Sequence, residues 1–146
     1  DVITISKIEP PTTLMANLQI GGREAVHATA MGKILISEFS KDQLMEIIGV
    51  ENYKSYTPNT ITSINPLIEE IVRKQGYSTD DEEFCLGLFC IAMLVRNYNN
   101  EIVAAVSVSG PAVRWNFTRI TEIRRDLEEA TLKLSKYFGW RIKEAN

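Results

Sequence analysis

The chain is short of the residues that usually announce a chemistry. It holds two cysteines and one histidine in 146 residues, so there is no CxxC spacing and no disulfide-rich framework. Positive charge is not in excess either. Sixteen Lys and Arg against nineteen Asp and Glu leave a net charge of -3, which removes any overall attraction to a phosphate backbone. Neither a helix-turn-helix pattern nor a basic stretch interleaved with aromatics is present. No apolar run approaches the ~20 residues of a membrane span. The first residues lack the basic and apolar regions of a secretory signal. These absences argue for reduced thiols in a cytoplasm, and against direct contact of this stretch with DNA or a membrane.

What is present is ordinary in amount and informative in order. A hydrophobic fraction of 45% and a charged fraction of 24% suit one globular domain with a real core. Its centre is Gly76 to Val95, GYSTDDEEFCLGLFCIAMLV. Gly76 reads as a helix stop, Asp80-Asp81-Glu82-Glu83 as an acidic cluster at the mouth of a strand, and Leu86 to Val95 as a strand buried on both faces. The turn residues Asn97 to Asn100 then lead into EIVAAVSVS, Glu101 to Ser109, which completes a hairpin. Ser107 and Ser109 fall two apart and share a face, as do Leu88 and Cys90. Cys85 and Cys90, five apart on the expected strand, point to opposite faces and do not pair.

Upstream, Val2 to Ile8 alternates like a half-buried strand, and Leu14 to Ile20 reads as its partner beyond Pro10-Pro11. Gly21 to Glu24 is a loop and Ala28 to Phe39 a helix. Gly32 inside that helix costs about 1 kcal/mol relative to Ala, and serves either close packing or room for a ligand beside Ala30 and Met31. Ser40 with Gln43 forms a capping box for a helix to Ile48. Asn52 to Thr60 is irregular. The next helix begins at Ser63 or Asn65, carries Pro66 in its first turn and ends at Gln75 before Gly76. Its apolar stripe is Leu67, Ile68, Ile71 and Val72. After Gly110-Pro111 and a loop with Arg114 and Trp115, a last helix spans Phe117 to Phe138. Its stripe is Ile120, Ile123, Leu127, Ala130, Leu134 and Phe138, serving the core or a subunit interface.

Five blocks in order carry a resemblance: VHATAMGKILIS (Val26 to Ser37), TPNTITSINPLIEEIVRKQGYS (Thr57 to Ser78), GYSTDDEE, GLFCIA and AAVSVSGP. Together they resemble the C-terminal effector-binding domain of IclR-type bacterial transcription regulators, over most of the chain. The resemblance implies a GAF-like antiparallel sheet flanked by helices, an α/β (α+β) fold in one domain. It implies a sensor of a small organic acid (a carboxylate, a sugar acid or an aromatic acid) acting through a homodimer or tetramer. DNA would be held by a winged helix-turn-helix domain ahead of this one. Because the sequence starts at Asp1 in a strand-like segment without an initiating Met, it is expected to be excised from a longer repressor or activator.

Carried over by motif, the effector-binding residues are Thr29, Ala30 and Met31 in the loop and first helix, Asp80 in the acidic block, Leu88 and Cys90 in GLFC, and Ser107 and Ser109 in SVSGP. The amides at the start of the first helix suit a carboxylate, the serine hydroxyls donate to ligand oxygens, and Asp80 accepts from a ligand hydroxyl or orients a neighbour. Met31 stands where Leu or Ala is frequent, and Met93-Leu94 replaces a smaller pair, so the pocket walls are expected to be bulkier. No cofactor or metal is implied. Read without the resemblance, Ser107 and Ser109 are the polar face of a half-exposed strand, the acids a solvated turn, and Cys85 and Cys90 buried small residues. Three further readings remain: a zinc site from His27, the cysteines and an acid; an enzyme using Cys90 or Cys85 with His27 as base; and an oligomerisation domain without ligand.

Overall fold

A computed structural model describes residues 1–9, 19–73 and 76–141. Among these residues, five strands and four helices follow in the order β1 (Val2–Ile3), β2 (Arg23–Glu24), α1 (Ala30–Leu35), α2 (Lys41–Ile48), α3 (Ile64–Arg73), β3 (Ser78–Asp81), β4 (Leu88–Arg96), β5 (Ile102–Pro111) and α4 (Phe117–Tyr137). A single 3-10 turn at Ala112–Arg114 links β5 to α4. The main sheet is antiparallel in the order β3-β4-β5. It is flanked by α1 on one face and α4 on the other. The fold is α+β.

β4 is the middle strand, and its unbroken apolar run follows from that position: both faces are covered, so both sets of alternating side chains are apolar. Cys90 and Ala92 pack against Ala30 and Ile34 of α1, with Leu88 and Leu94 at the margin. Phe89, Ile91 and Met93 pack on Leu127, Ile120 and Ile123 of α4. Ile91 is fully buried, which contributes about 1.5–3 kcal/mol relative to leaving it in water. A second core joins Val26, Ile36, Leu44, Tyr53, Ile64 and Leu67, holding α2 and α3 beside the sheet.

Several boundaries and faces differ from the sequence expectations. The expected strand Val2 to Ile8 pairs only over Val2–Ile3, and its partner is Arg23–Glu24, which had read as loop. Ile5 and Ile8 are exposed, at 78% and 98%. Of the expected partner Leu14 to Ile20, residues 14–18 lie outside the described residues, as do Pro10-Pro11 and Gln75. The helix expected over Ala28 to Phe39 is six residues, Ala30–Leu35, because Thr29 caps it and the chain turns at Ile36. α2 has the expected capping box in full, Ser40 with Gln43.

Of the acids read as a turn, Asp80 and Asp81 end a short strand, Ser78–Asp81, paired with β4, and Glu82 and Glu83 lie in the bend after it. The strand after it begins at Leu88, so Cys85 is not on it; Cys85 lies in the bend before β4 and is exposed. Gly110 and Pro111 belong to β5 rather than to the loop after it. In α3 the inward stripe is Ile64, Leu67, Ile68 and Ile71, while Val72 is 65% exposed. In α4 the buried row runs Leu127, Thr131 and Ser135, a steady four-residue step. Ala130, Leu134 and Phe138 turn outward. Two hydroxyls are tolerated inside because each bonds a helix carbonyl one turn back, and Ser135 Oγ also accepts the Arg96 amide at 3.0 Å.

Candidate functional site

The site is built on the α1 face of the sheet. Asp80 of β3 stands opposite Cys90 of β4, and Cys90 opposite Ser109 of β5. Directly opposed residues in antiparallel strands project to the same side, so the three form one row across the sheet. Cys90 thus stands between Asp80 and Ser109 in this row. A second row, Ser78–Ala92–Ser107, lies beside it. α1 covers these rows unevenly. Ala30, Asp80 and Cys90 are buried, Met31, Leu88 and Ser107 half-buried, and Ser109 exposed. The face is closed over β3 and open over β5.

Thus Ala30, Met31, Asp80, Leu88, Cys90, Ser107 and Ser109 share one face. Thr29 stands apart in role. Its hydroxyl accepts from the Gly32 amide at 3.1 Å and donates to the Ala25 carbonyl at 3.0 Å, so it caps the helix and has no proton left for a ligand. The cap leaves the amides of Ala30 and Met31 without a backbone acceptor among the described residues. Gly32 serves close packing: a Cβ there would sit 2.4 Å from Val26 Cα and 2.5 Å from its carbonyl oxygen. This near contact sets α1 tightly on the chain leading into it. Of the two bulkier wall residues expected at 93 and 94, only Leu94 faces α1; Met93 packs toward α4.

Asp80 is not at an open mouth. It is 1% exposed, and its Oδ1 accepts the amides of Glu83 and Phe84 at 2.8 and 3.1 Å, which folds the bend after β3. Burial raises its pKa, with the two amides working against that. Of the two roles open to it, orienting a neighbour fits this geometry.

Three residues that sequence reading passed over complete the surroundings. Lys33 of α1 is fully buried and places Nζ 2.5 Å from Glu83 Oε1. Thr57 and Thr60 donate their hydroxyls to the Glu82 and Glu83 carbonyls at 2.7 and 2.6 Å, tying the 52–60 segment to the same bend. The signal for Lys33 was available as the one charge inside the apolar stretch HATAMGKILI. For the threonines, nothing local distinguished a capping hydroxyl from a solvated one.

The other chemistries are not assembled. The Cys90 thiol is pushed up to about 12, first by burial, and so stays protonated. His27 Nε2 is engaged with the Lys54 carbonyl at 2.9 Å. Among the described residues no cluster of three or more His, Cys, Asp or Glu is placed to hold a metal ion, and no helix is long and apolar enough to cross a membrane.

Comparison with known proteins agrees with the fold. The family model described as bacterial transcriptional regulator IclR C-terminal matches residues 1–136. The HTH-type transcriptional regulator XynR of Escherichia coli (strain K12) is 34% identical over 140 residues, covering 94% of this chain and 56% of XynR. The crystal structure of the C-terminal domain of the E. coli transcriptional regulator KdgR superposes with a TM-score of 0.77 at 36% identity, over 83% of this chain and 75% of that one. The inducer-binding domain of PobR from Acinetobacter, a double mutant in complex with 3-hydroxybenzoic acid, gives 0.72 at 27% identity, over 89% and 73%. The chain spans about half the length of the curated relatives it matches.

Proposed function

The chain belongs to the bacterial transcriptional regulator IclR C-terminal family, and on that premise we propose that it senses a small organic acid on the α1 face of its sheet. The observation that carries this reading is the Asp80–Cys90–Ser109 row, sealed at its β3 end and open at its β5 end. A ligand entering over β5 meets the hydroxyls of Ser109 and Ser107 and the apolar walls of Met31 and Leu88. The amides of Ala30 and Met31 are two further donors for a carboxylate. Apolar walls with a few convergent polar groups are what a small-molecule site requires. Thr29 holds the helix that presents those amides, and Asp80 holds the bend from behind.

Sensing becomes regulation by population shift. An effector that binds one arrangement of paired domains more tightly than another moves the equilibrium by that difference in affinity. In the parent protein the paired domains are a homodimer or tetramer. DNA is contacted by a winged helix-turn-helix domain outside this chain, in the bacterial cytoplasm. The family's names support a regulatory role rather than catalysis, XynR and the acetate operon repressor of Salmonella typhimurium among them.

The test is a thermal-shift panel of acetate, gluconate and 3-hydroxybenzoate on the domain and on Ser109→Ala and Ser107→Ala. A compound at 100 times its Kd stabilises the fold by about 2.7 kcal/mol. Stabilisation lost in the serine variants is the expected result. A compound that stabilises all three proteins equally moves the site elsewhere. Failure of every compound across a wider acid panel removes sensing, and the exposed side of α4, with Phe117 and Tyr137 at 86% and 89% exposure, then favours self-association alone.

A further inference from the structure

We infer that the buried Lys33–Asp80–Glu83 cluster is a proton-linked partner of the effector site, so that an anion bound at Ser107 and Ser109 takes up a proton from solvent onto the Asp80–Glu83 carboxyl pair as it binds. This inference rests on the effector reading above and adds its regulation by pH.

Among the described residues the geometry is one cation for two sealed carboxylates. Lys33 is 0% exposed, Asp80 1% and Glu83 7%. Glu83 Oε1 takes the ammonium at 2.5 Å. Its other oxygen, Oε2, is buried with no hydrogen-bond partner among the described residues. An ionised carboxylate with an unserved buried oxygen is costly, and a carboxyl in that position lowers the cost by accepting a proton. Burial is the largest influence on both acids and raises both, against the lowering effect of the Phe84 and Glu83 amides and then Lys33 on Asp80, and of Lys33 first on Glu83.

Among the described residues the groups facing the pair leave the balance negative. From α1 comes Lys33; from β3, Asp81; from the bend, Glu82, whose carboxylate is taken by the Gly87 amide at 2.6 Å. β4 presents the neutral Cys90 thiol, and the 52–60 segment presents the hydroxyls of Thr57 and Thr60. On the α3 side, Glu70 and Tyr77 line a cavity of about 10 Å³ beside Lys33. Asp80 belongs both to the cluster and to the cross-strand row that runs through Cys90 to Ser109 at the open side. Two strand spacings separate Asp80 from Ser109, on the order of 10 Å, short enough for partly buried charges to act on one another. An anion at Ser109 therefore disfavours the doubly ionised pair, and a bound proton relieves the repulsion.

The experiment has two arms. Carbon-13 carboxyl NMR on the ligand-free wild-type domain follows Asp80 and Glu83 with pH, assigned by the loss of one signal in Glu83→Gln. Calorimetric titration of acetate, gluconate and 3-hydroxybenzoate then runs across the same pH range on wild type and variant. At least one carboxyl of the pair titrating above the ordinary carboxylate range, an affinity that falls up to about tenfold per pH unit through that range, and a flat profile in Glu83→Gln are expected. Ordinary titration of both carboxyls overturns the retained proton. An acid that binds with the same pH profile in wild type and variant overturns the linkage. If no acid binds while the NMR arm finds the raised carboxyl, the effector reading fails and the linkage falls with it, but the buried proton stands. Should Glu83→Gln not fold, Lys33→Met with Glu83→Leu replaces the ion pair by apolar side chains and serves the same comparison.

Discussion

Lys33 Nζ and Glu83 Oε1 lie 2.5 Å apart, fifty residues distant in sequence, with the lysine wholly out of water. This pair fastens α1 to the bend between β3 and β4, and those two pieces carry most of the residues on the candidate site's closed side. A buried ion pair contributes little net stability, because desolvation offsets most of the attraction, yet removing one partner strands the other. Lys33→Met is therefore expected to destabilise the domain by about 3–5 kcal/mol, and Lys33→Met with Glu83→Leu to recover most of that loss. Urea denaturation of the three proteins decides it; a harmless single variant contradicts the pairing.

The sign of the pH dependence follows from the same cluster. Burial raises Asp80 above its ordinary 3.8 and Glu83 above its ordinary 4.5. A carboxyl whose folded value is raised contributes stability that is fully present below its unfolded value and lost as pH rises through the folded one. Glu83→Gln removes one such group. Its stability relative to wild type is expected to improve as pH rises above the ordinary glutamate value, measured by urea midpoints at each pH. A constant difference would count against the burial of Glu83 as a charge.

Gly32→Ala sets two effects against each other. Alanine improves helix propensity by about 1 kcal/mol, but its methyl would meet Val26 Cα at 2.4 Å, and backbone cannot rotate away as a side chain does. Overpacking of this kind costs about 1–3 kcal/mol, so a net loss is expected. A thermal midpoint equal to or above wild type would show that α1 is seated more loosely than this.

The two thiols should behave differently. Cys85 is exposed and Cys90 buried, with the latter's pKa pushed up to about 12, and only a thiolate reacts quickly. A chromogenic disulfide reagent at neutral pH is expected to modify Cys85 alone in the native domain and both after unfolding. Rapid modification of Cys90 in the folded protein would revive a nucleophilic role for it.

Much of this protein could be read before folding it. The β4–β5 hairpin, the capping box at Ser40 and the left-handed backbone at Gly76 (φ 84°) rest on local patterns, and local patterns are set by backbone sterics and short-range hydrogen bonds. Period-two spacing already placed Leu88 with Cys90 and Ser107 with Ser109 on shared faces. The five blocks in order identified the family. What failed was whatever depended on a neighbour distant in sequence. The α4 stripe was drawn through Ala130 and Leu134 because they are apolar, whereas the packing geometry selected Thr131 and Ser135, whose hydroxyls find acceptors inside the helix. The acids at 80–83 looked solvated because charge usually is.

By itself, then, the sequence determined the elements with strong local signals, the family, and which side chains lie two apart on a strand. Only the tertiary structure decided that Asp80 and Glu83 are buried, that Lys33 is buried with them, and that Asp80, Cys90 and Ser109 form one row across the sheet. The physical reason is that periodicity reports which face a residue takes, while burial of a charge depends on whether a partner from another element arrives to offset its desolvation. That partner, here, comes from fifty residues away.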